Sequence, residues 1–396
     1  MKILTICQYY YPEPFKVNDI CEELVKQGNE VDVITGTPNY PMGEIYKGYE
    51  NNKKQKETIN GVNVYRSKII PRKNNPIYRL ANYFSYPKQA KKIIKKNNKK
   101  YDIVFVYQLS PVLMAKPALY YKKKYGTKIV LYCLDIWPES LKVGGVSEKS
   151  PLFKYFKKES KKIYQSCDKI LVTSKCFIKY LSTEFNIDKS KFEYLPQYAE
   201  AQYSKEECAK KPSSKINLMF AGNLGKAQNL GIIINAAEKL KEYKNLQFHL
   251  VGDGSEYEKL KSSVKEKKLP NVIFYGRKPA NEMPKYYAIA DAMLITLNGG
   301  SAISETLPGK MQTYMAAGKP VIGSINGDAN EIIKKSKCGF CCKAEDEEAF
   351  VEQIKKFIEC KDKKKLADNS YNYYKENFTK ENYIKTLNNE LEKERN

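Results

Sequence analysis

The apolar runs of this 396-residue chain predict an α/β protein built from two doubly wound, parallel-sheet halves. Three observations carry the prediction. Strand-like runs at 2–7 (KILTIC) and 31–35 (VDVIT) flank a helix-spaced stretch, 18–27, with Ile20, Cys21, Leu24 and Val25 in step and Gly28 closing it. The same alternation starts afresh at Ile216, after the polar stretch 199–214. The length also exceeds what one ordinary core holds. The expected division is a first domain over 1–198, a linker over 199–214, a second domain over 215–362 and terminal helices over 363–396.

Taken in order, further strands are expected at 62–66, 103–107, 128–133 and 169–173, with helices at 111–125 and 152–167. The second half reads strand INLMFAG, loop NLGKAQNL, helix GIIINAAEKLKEY, strand LQFHLVG, loop DGSEYE, a helix, and strand VIFYG. A helix near 283–290, the strand AMLIT, the stretch SAISETLPGKMQTYMAAG (301–318) and the strand PVIG follow. The tail carries Tyr371, Tyr373, Tyr374 and Tyr383 and either packs on the second domain or crosses back to the first. Loop 9–16 follows the first strand, where such sheets bind ligands, but lacks a GxGxxG dinucleotide signature.

The bulk composition narrows the function classes. With 42% hydrophobic and 12% aromatic residues the chain is globular. It has no apolar run of about 18 residues, and its N-terminus reads as a strand rather than a signal peptide, so a cytoplasmic chain is expected. Ten scattered cysteines suit reduced, packed thiols, and CGFCC (338–342) lacks the second Cys/His pair of a metal site. Residues 1–200 hold 36 Lys and Arg against 19 Asp and Glu, most of the +24 net charge. In 83–100 seven Lys flank a Tyr83, Pro87, Ala90, Ile94 stripe, a pattern suited to an anionic membrane surface. Nucleic acid is disfavoured, since no zinc finger, RNP-like stretch or recognition helix accompanies the charge.

Four loops at strand ends in the second half carry the candidate chemistry. They are Gly222-Asn223-Leu224-Gly225-Lys226, Gly252-Asp253-Gly254, Gly276-Arg277-Lys278 and the 301–318 stretch, with Glu305, Pro308, Gly309, Lys310 and Thr313. Glycines let the backbone approach an anion, and a helix start adds free N–H groups. Lys226, Arg277 and Lys310 add positive charge to these loops.

Taken together, YYYPEPFKVNDI, VITGTPNYPMG, YDIVFVYQLSP, LDIWPES, CDKILVTS, AGNLGKAQNL, LVGDG, FYGRKP, YAIADAMLI and LPGKMQTYMAAGKPVIG resemble the family 4 retaining glycosyltransferases, of the WbuB and colanic-acid type. The resemblance covers nearly the whole chain. It implies the GT-B fold, two Rossmann-like domains facing across a cleft. It also implies sugar transfer with retention from a nucleotide diphosphate, most often UDP, without cofactor or metal; the sequence has no DxD. Lys226, Arg277 and Lys310 are then the implied diphosphate-binding cations. The implied acceptor is lipid-linked or a saccharide, in capsule, O-antigen or exopolysaccharide assembly. The implied location is the inner face of the plasma membrane.

Two departures stand out. The family's paired glutamates fall on Glu305 and Thr313, and a hydroxyl cannot accept both hydrogen bonds of a ribose diol; Glu331 is the alternative ribose contact. The family's first-domain histidine is missing, and the sole histidine is His249. Asp135 and Glu139, in DIWPE, are the candidate replacements as proton acceptor or charge stabiliser, with helix capping the alternative for Asp135. Phe15, Lys16 and Asn18 replace the family's Gly-Gly turn on the acceptor side, with Asn18 otherwise an N-cap. A sugar-nucleotide epimerase and a non-catalytic basic binding protein are the competing classes.

Overall fold

In a computed structural model, which describes residues 1–50, 53–73, 75–300 and 302–395, the chain divides into two compact units. The first runs from Met1 to Leu195 and takes in the residues from Ile384 on; the second is Pro196–Tyr383. The division therefore falls just before the polar stretch 199–214, which lies within the second unit. The helix Lys380–Arg395 passes from one unit into the other. Its Glu390 pairs with Lys169 (3.2 Å), which anchors the tail to the first unit's sheet.

The first unit's strands are β1 (Lys2–Ile6), β2 (Glu30–Gly36), β3 (Lys56–Ile59), β4 (Val62–Ser67), β5 (Ile103–Gln108), β6 (Ile129–Cys133), β7 (Lys169–Val172) and β8 (Phe192–Tyr194). Among the described residues they form one sheet in the order β3-β4-β2-β1-β5-β6-β7-β8, parallel except at β3–β4. β1, β5 and β6 are almost wholly buried, as continuous apolar strands covered on both faces must be. The edge strand β3 (KETI) buries none of its residues and had no apolar signal to read. The expected helix 111–125 is instead a 3-10 turn, Val112–Ala115, leading into a helix Lys116–Tyr125 with Pro117 in its first turn.

The second unit's strands are β9 (Ile216–Ala221), β10 (Leu246–Val251), β11 (Val272–Gly276), β12 (Ala292–Thr296), β13 (Val321–Ser324) and β14 (Gly339–Cys342). They form a parallel sheet in the order β11-β10-β9-β12-β13-β14 among the described residues. The CGFCC segment supplies β14, with Cys338 and Cys342 buried in the unit's two apolar clusters.

One expectation is corrected in the first unit. Tyr83, Pro87, Ala90 and Ile94 are buried residues of the helix Pro76–Lys96, packed on the sheet, so this stripe is core and not a membrane face. The four recur at helical spacing because they meet the sheet, which is the commoner reason for such a stripe.

Candidate active site

Strand order reverses between β9 and β12, and an open parallel sheet binds ligands beyond the carboxyl ends at such a point. Backbone packs on backbone there, which is why the loops are rich in glycine. The Gly222 amide donates to the Val251 carbonyl (2.9 Å) and the Gly252 amide to that of Gly276 (3.0 Å), tying together the loops after β9, β10 and β11. A Cβ on Gly252, whose φ is +140°, would stand 1.8 Å from the Gly222 carbonyl oxygen. One on Gly254 would stand 2.6 Å from the Leu224 backbone, and one on Gly225 2.6 Å from the Asn223 side-chain nitrogen, Nδ2. Asp253 accepts from the Gly254 amide (2.8 Å), so its carboxylate holds the turn. Lys226 and Arg277 stand exposed, and neither pairs with a carboxylate among the described residues.

Pro308 precedes the helix Gly309–Ala316 and offers no side-chain cap to its first amides. Lys310, its second residue, donates to Gln228 Oε1 and lies 4.1 Å above the centre of the Phe220 ring. A Cβ on Gly222 would make ordinary contact, 3.4 Å, with the Lys310 ammonium, so the two lie side by side. No carboxylate pairs with Lys310 among the described residues, and desolvation lowers its pKa to about 7. A desolvated cation without a counter-charge, at a helix start without a side-chain cap, suits an anionic ligand.

The 301–318 stretch opens at Ser301, which lies outside the described residues. Glu305 ends the 3-10 turn Ala302–Glu305; it is exposed, and its carboxylate has no protein partner among the described residues. The helix Gly327–Ser336 starts hard against it, since a Cβ on Gly327 (φ +60°) would lie 2.2 Å from the Glu305 carbonyl oxygen. Thr313 is buried, and its hydroxyl turns back to the Gly309 carbonyl at 3.4 Å. Glu331, in contrast, is exposed on the helix beginning beside Glu305.

In the first unit the strand order reverses between β1 and β5, and side chains rather than glycines bind the loops. Phe15 stacks on Tyr9 (centroids 5.2 Å apart) and meets Tyr40 at 5.3 Å. Asn18 is not the N-cap, a position held by Phe15 ahead of the helix Lys16–Lys26. Its amide instead ties the loop, donating to the Glu13 carbonyl (2.8 Å) and accepting from the Tyr11 amide (3.0 Å). Lys16 opens that helix, half-buried. Asp135 accepts from the Ser110 hydroxyl (2.6 Å) and from that of Ser140, and Ser110 accepts in turn from the Trp137 indole N–H (3.0 Å). Desolvation raises the Asp135 pKa against the pull of these hydroxyls. Glu139 is spoken for at both oxygens, by the Tyr180 hydroxyl (2.9 Å) and by Lys142 (2.6 Å). Asp135 and Glu139 therefore serve different neighbours although four residues apart.

Two family models match adjoining parts of the chain: Glycosyltransferase Family 4 over residues 17–197 and Glycosyl transferases group 1 over 204–377. The chain is a family 4, group 1 glycosyltransferase. It is 26% identical over 260 residues to Pseudomonas aeruginosa WbjE, named as a glycosyltransferase, the match spanning 63% of this chain and 64% of that protein. It is 23% identical to Escherichia coli K12 WcaI, named for colanic acid biosynthesis, over 80% of this chain and 82% of that one. Among solved structures, Anabaena HepE in complex with UDP superposes with a TM-score of 0.72 at 14% identity, covering 99% of this chain and all of that one. WaaG, a glycosyltransferase involved in lipopolysaccharide biosynthesis, gives 0.65 at 15% identity, over 95% of each chain. The fold is GT-B.

Three polar residues of this transferase escaped the sequence reading. Glu13 is buried and accepts from the Asn39 (2.8 Å), Tyr40 (2.7 Å) and Tyr10 (3.3 Å) amides, stapling the loops after β1 and β2; burial outweighs those bonds and raises its pKa to about 7. Arg72 bonds the Tyr9 hydroxyl and is the cation whose charge acts on Asp135. Gln228 holds Lys310. Only Glu13 left a local signal, a lone carboxylate between two prolines. His249 is buried between Tyr275 (2.9 Å) and Asn217 (3.0 Å), and desolvation lowers its pKa to about 4. It is a core residue of the second unit, away from the strand-end loops.

Proposed function

We propose that the chain is a retaining, metal-independent hexosyl- or N-acetylhexosaminyl-transferase. In this reading it moves a sugar from a nucleotide diphosphate, UDP foremost, to a lipid-linked or saccharide acceptor in surface-polysaccharide assembly. One observation carries the reading: Lys310, desolvated and without a carboxylate partner, sits under Gly222 at an uncapped helix start. As the glycosidic C–O bond to the diphosphate breaks, charge grows on the leaving oxygen, and in this reading Lys310, Lys226, Arg277 and the Gly309 amide meet it. Glu305, free of protein partners among the described residues, is the donor-sugar contact, and the exposed Glu331 replaces Thr313 at the ribose. Asp135 takes the acceptor hydroxyl proton as the new C–O bond forms; its raised pKa suits a base that must release that proton again. The names of WcaI and of WaaG support the polysaccharide context, and the UDP complex of HepE supports the nucleotide. No helix among the described residues is long and apolar enough to cross a membrane, in keeping with work at the inner face of the plasma membrane.

Calorimetric titration with UDP and with GDP tests the donor site, and binding of neither would overturn the reading. Asp135→Asn is expected to lower kcat by about 100-fold or more while leaving the UDP affinity alone. Glu305→Ala is expected to abolish transfer with the fold intact. The anomeric configuration of the product, read by NMR, decides retention.

A further inference from the structure

Arg66 pairs with Glu57 (2.6 Å), but the next two arginines of the first unit, Arg72 and Arg79, pair with no carboxylate among the described residues. Arg72 is fixed from its backbone. Its amide donates to Asn39 Oδ1 (2.9 Å), and a Cβ on Gly43 would lie 2.6 Å from its carbonyl oxygen. Its half-buried guanidinium faces the Tyr9, Tyr83 and Tyr40 hydroxyls. Arg79 precedes Tyr83 by one turn of the helix Pro76–Lys96 and shares its side. The Tyr83 ring is held edge-on to Trp137 (5.8 Å) and to Phe156 (6.2 Å). Its hydroxyl has no hydrogen-bond partner among the described residues, and the charges that act on it are those of Arg72, Arg79 and Asp135. Trp137 in turn reaches Asp135 through the Ser110 hydroxyl, by bonds of 3.0 and 2.6 Å.

Two guanidinium groups, an unengaged phenol and the Asp135 carboxylate thus gather around one spot. Neutral phenols repay only part of what desolvating Arg72 costs, and the group that would repay the rest is an oxyanion. The protein does not supply one. Residues 68–100 contain no Asp or Glu. Asp135 has one oxygen on the Ser110 hydroxyl and the other on that of Ser140. Glu13, on the neighbouring loop, gives both of its oxygens to the Asn39, Tyr40 and Tyr10 amides. A guanidinium fork matches the paired oxygens of a carboxylate or phosphate, and a phenolic O–H adds a further donor. We propose that Arg72, Arg79 and the Tyr83 hydroxyl form an oxyanion subsite that takes the carboxylate or phosphate of an acidic acceptor saccharide and so fixes which of its hydroxyls meets Asp135. Assigning the anion to the acceptor rests on the transferase reading; the subsite itself does not.

Trp137 is the chain's single tryptophan and touches Tyr83, so its fluorescence reports on this spot. With UDP saturating and ionic strength held constant, inorganic phosphate is expected to give a saturable change in that fluorescence. Arg72→Gln with Arg79→Gln is expected to weaken phosphate by about tenfold or more. Glucose 6-phosphate or methyl glucuronide is expected to bind at least about tenfold tighter than methyl glucoside, and the tighter of the two tells whether the acid is a phosphate or a carboxylate. No saturable response, a response that the double variant keeps, or a neutral glycoside binding as well as both acids would overturn the proposal. So would loss of the phosphate response on adding UDP, which would give the two arginines to the donor. Should the double variant fail to fold, Arg79→Gln alone, at an exposed position, is expected to weaken phosphate by about threefold or more, and unchanged binding would overturn the proposal. Failure of the wild type to bind UDP would sink the transferase reading, and the phosphate titration, run without UDP, would still decide the subsite.

Discussion

The two units present the same kind of edge, loops beyond a parallel sheet at a strand-order reversal, yet they are built in opposite ways. In the first unit the loops are held by side chains: Glu13 on three amides, Asn18 across its own loop, Asp135 between two hydroxyls. Much of its polar capacity is spent on the protein. In the second unit the loops are held by backbone contact between glycine turns, and Lys226, Arg277, Lys310 and Glu305 lack a charged partner among the described residues. Under the proposed donor role, the second edge must leave its cations unpaired, because an internal ion pair would have to break on binding. If Asp135 reacts as proposed, its edge gains more from fixing that carboxylate's geometry.

The contrast can be broken most forcefully at Gly252. Gly252→Ala puts a methyl group inside the Gly222 carbonyl, and a loss of at least about 3 kcal/mol in urea unfolding of the second unit is expected. An equal loss from Gly28→Ala, where nothing lies within 4 Å of the added atom, would show that backbone approach is not what the glycine serves. Lys310→Ala follows, with UDP affinity about 100-fold weaker by calorimetry. Because its pKa is lowered to about 7, the charged form that an anion needs is lost as pH rises through 7. UDP affinity should therefore fall by up to about tenfold per pH unit above neutrality, and Lys310→Ala should flatten that profile.

Stability against pH sharpens the comparison, since the units should respond with opposite signs. His249 has its folded pKa lowered to about 4, so its neutral form is favoured and the second unit loses stability as pH falls from about 6.5 towards 4, by about 3 kcal/mol. Glu13 has its pKa raised to about 7, so its contribution is full below about 4.5 and is lost as pH rises through 7, by about 3 kcal/mol. Hydrogen exchange resolved by unit at pH 5 and pH 7.5 would show both. His249→Gln should remove the first slope and Glu13→Gln the second, and like signs in the two units would refute the assignment. The smallest expected effect is at Thr313. With its hydroxyl turned to the Gly309 carbonyl, Thr313→Ala should leave UDP affinity within about twofold.

Much of this protein was legible before folding. The two halves, most strands and the glycine turns at strand ends are local signals, set by apolar runs and by positions where a side chain would collide or φ is positive. Glu305 and Lys310 could be placed on one loop because six residues, 305–310, contain them both with Gly309. What the tertiary structure decided are pairings across long stretches of chain. Gln228 meets Lys310 82 residues away, and Glu13 takes amides 26 and 27 residues on. It also decided which face of the Pro76–Lys96 helix is core: helical spacing shows that a stripe exists, but only the sheet beneath determines that Tyr83 is buried and Phe84 is not. Chain-local chemistry sets which residues stand together along an element. Burial and partner choice arise when elements pack, because both depend on atoms that are neighbours only in three dimensions.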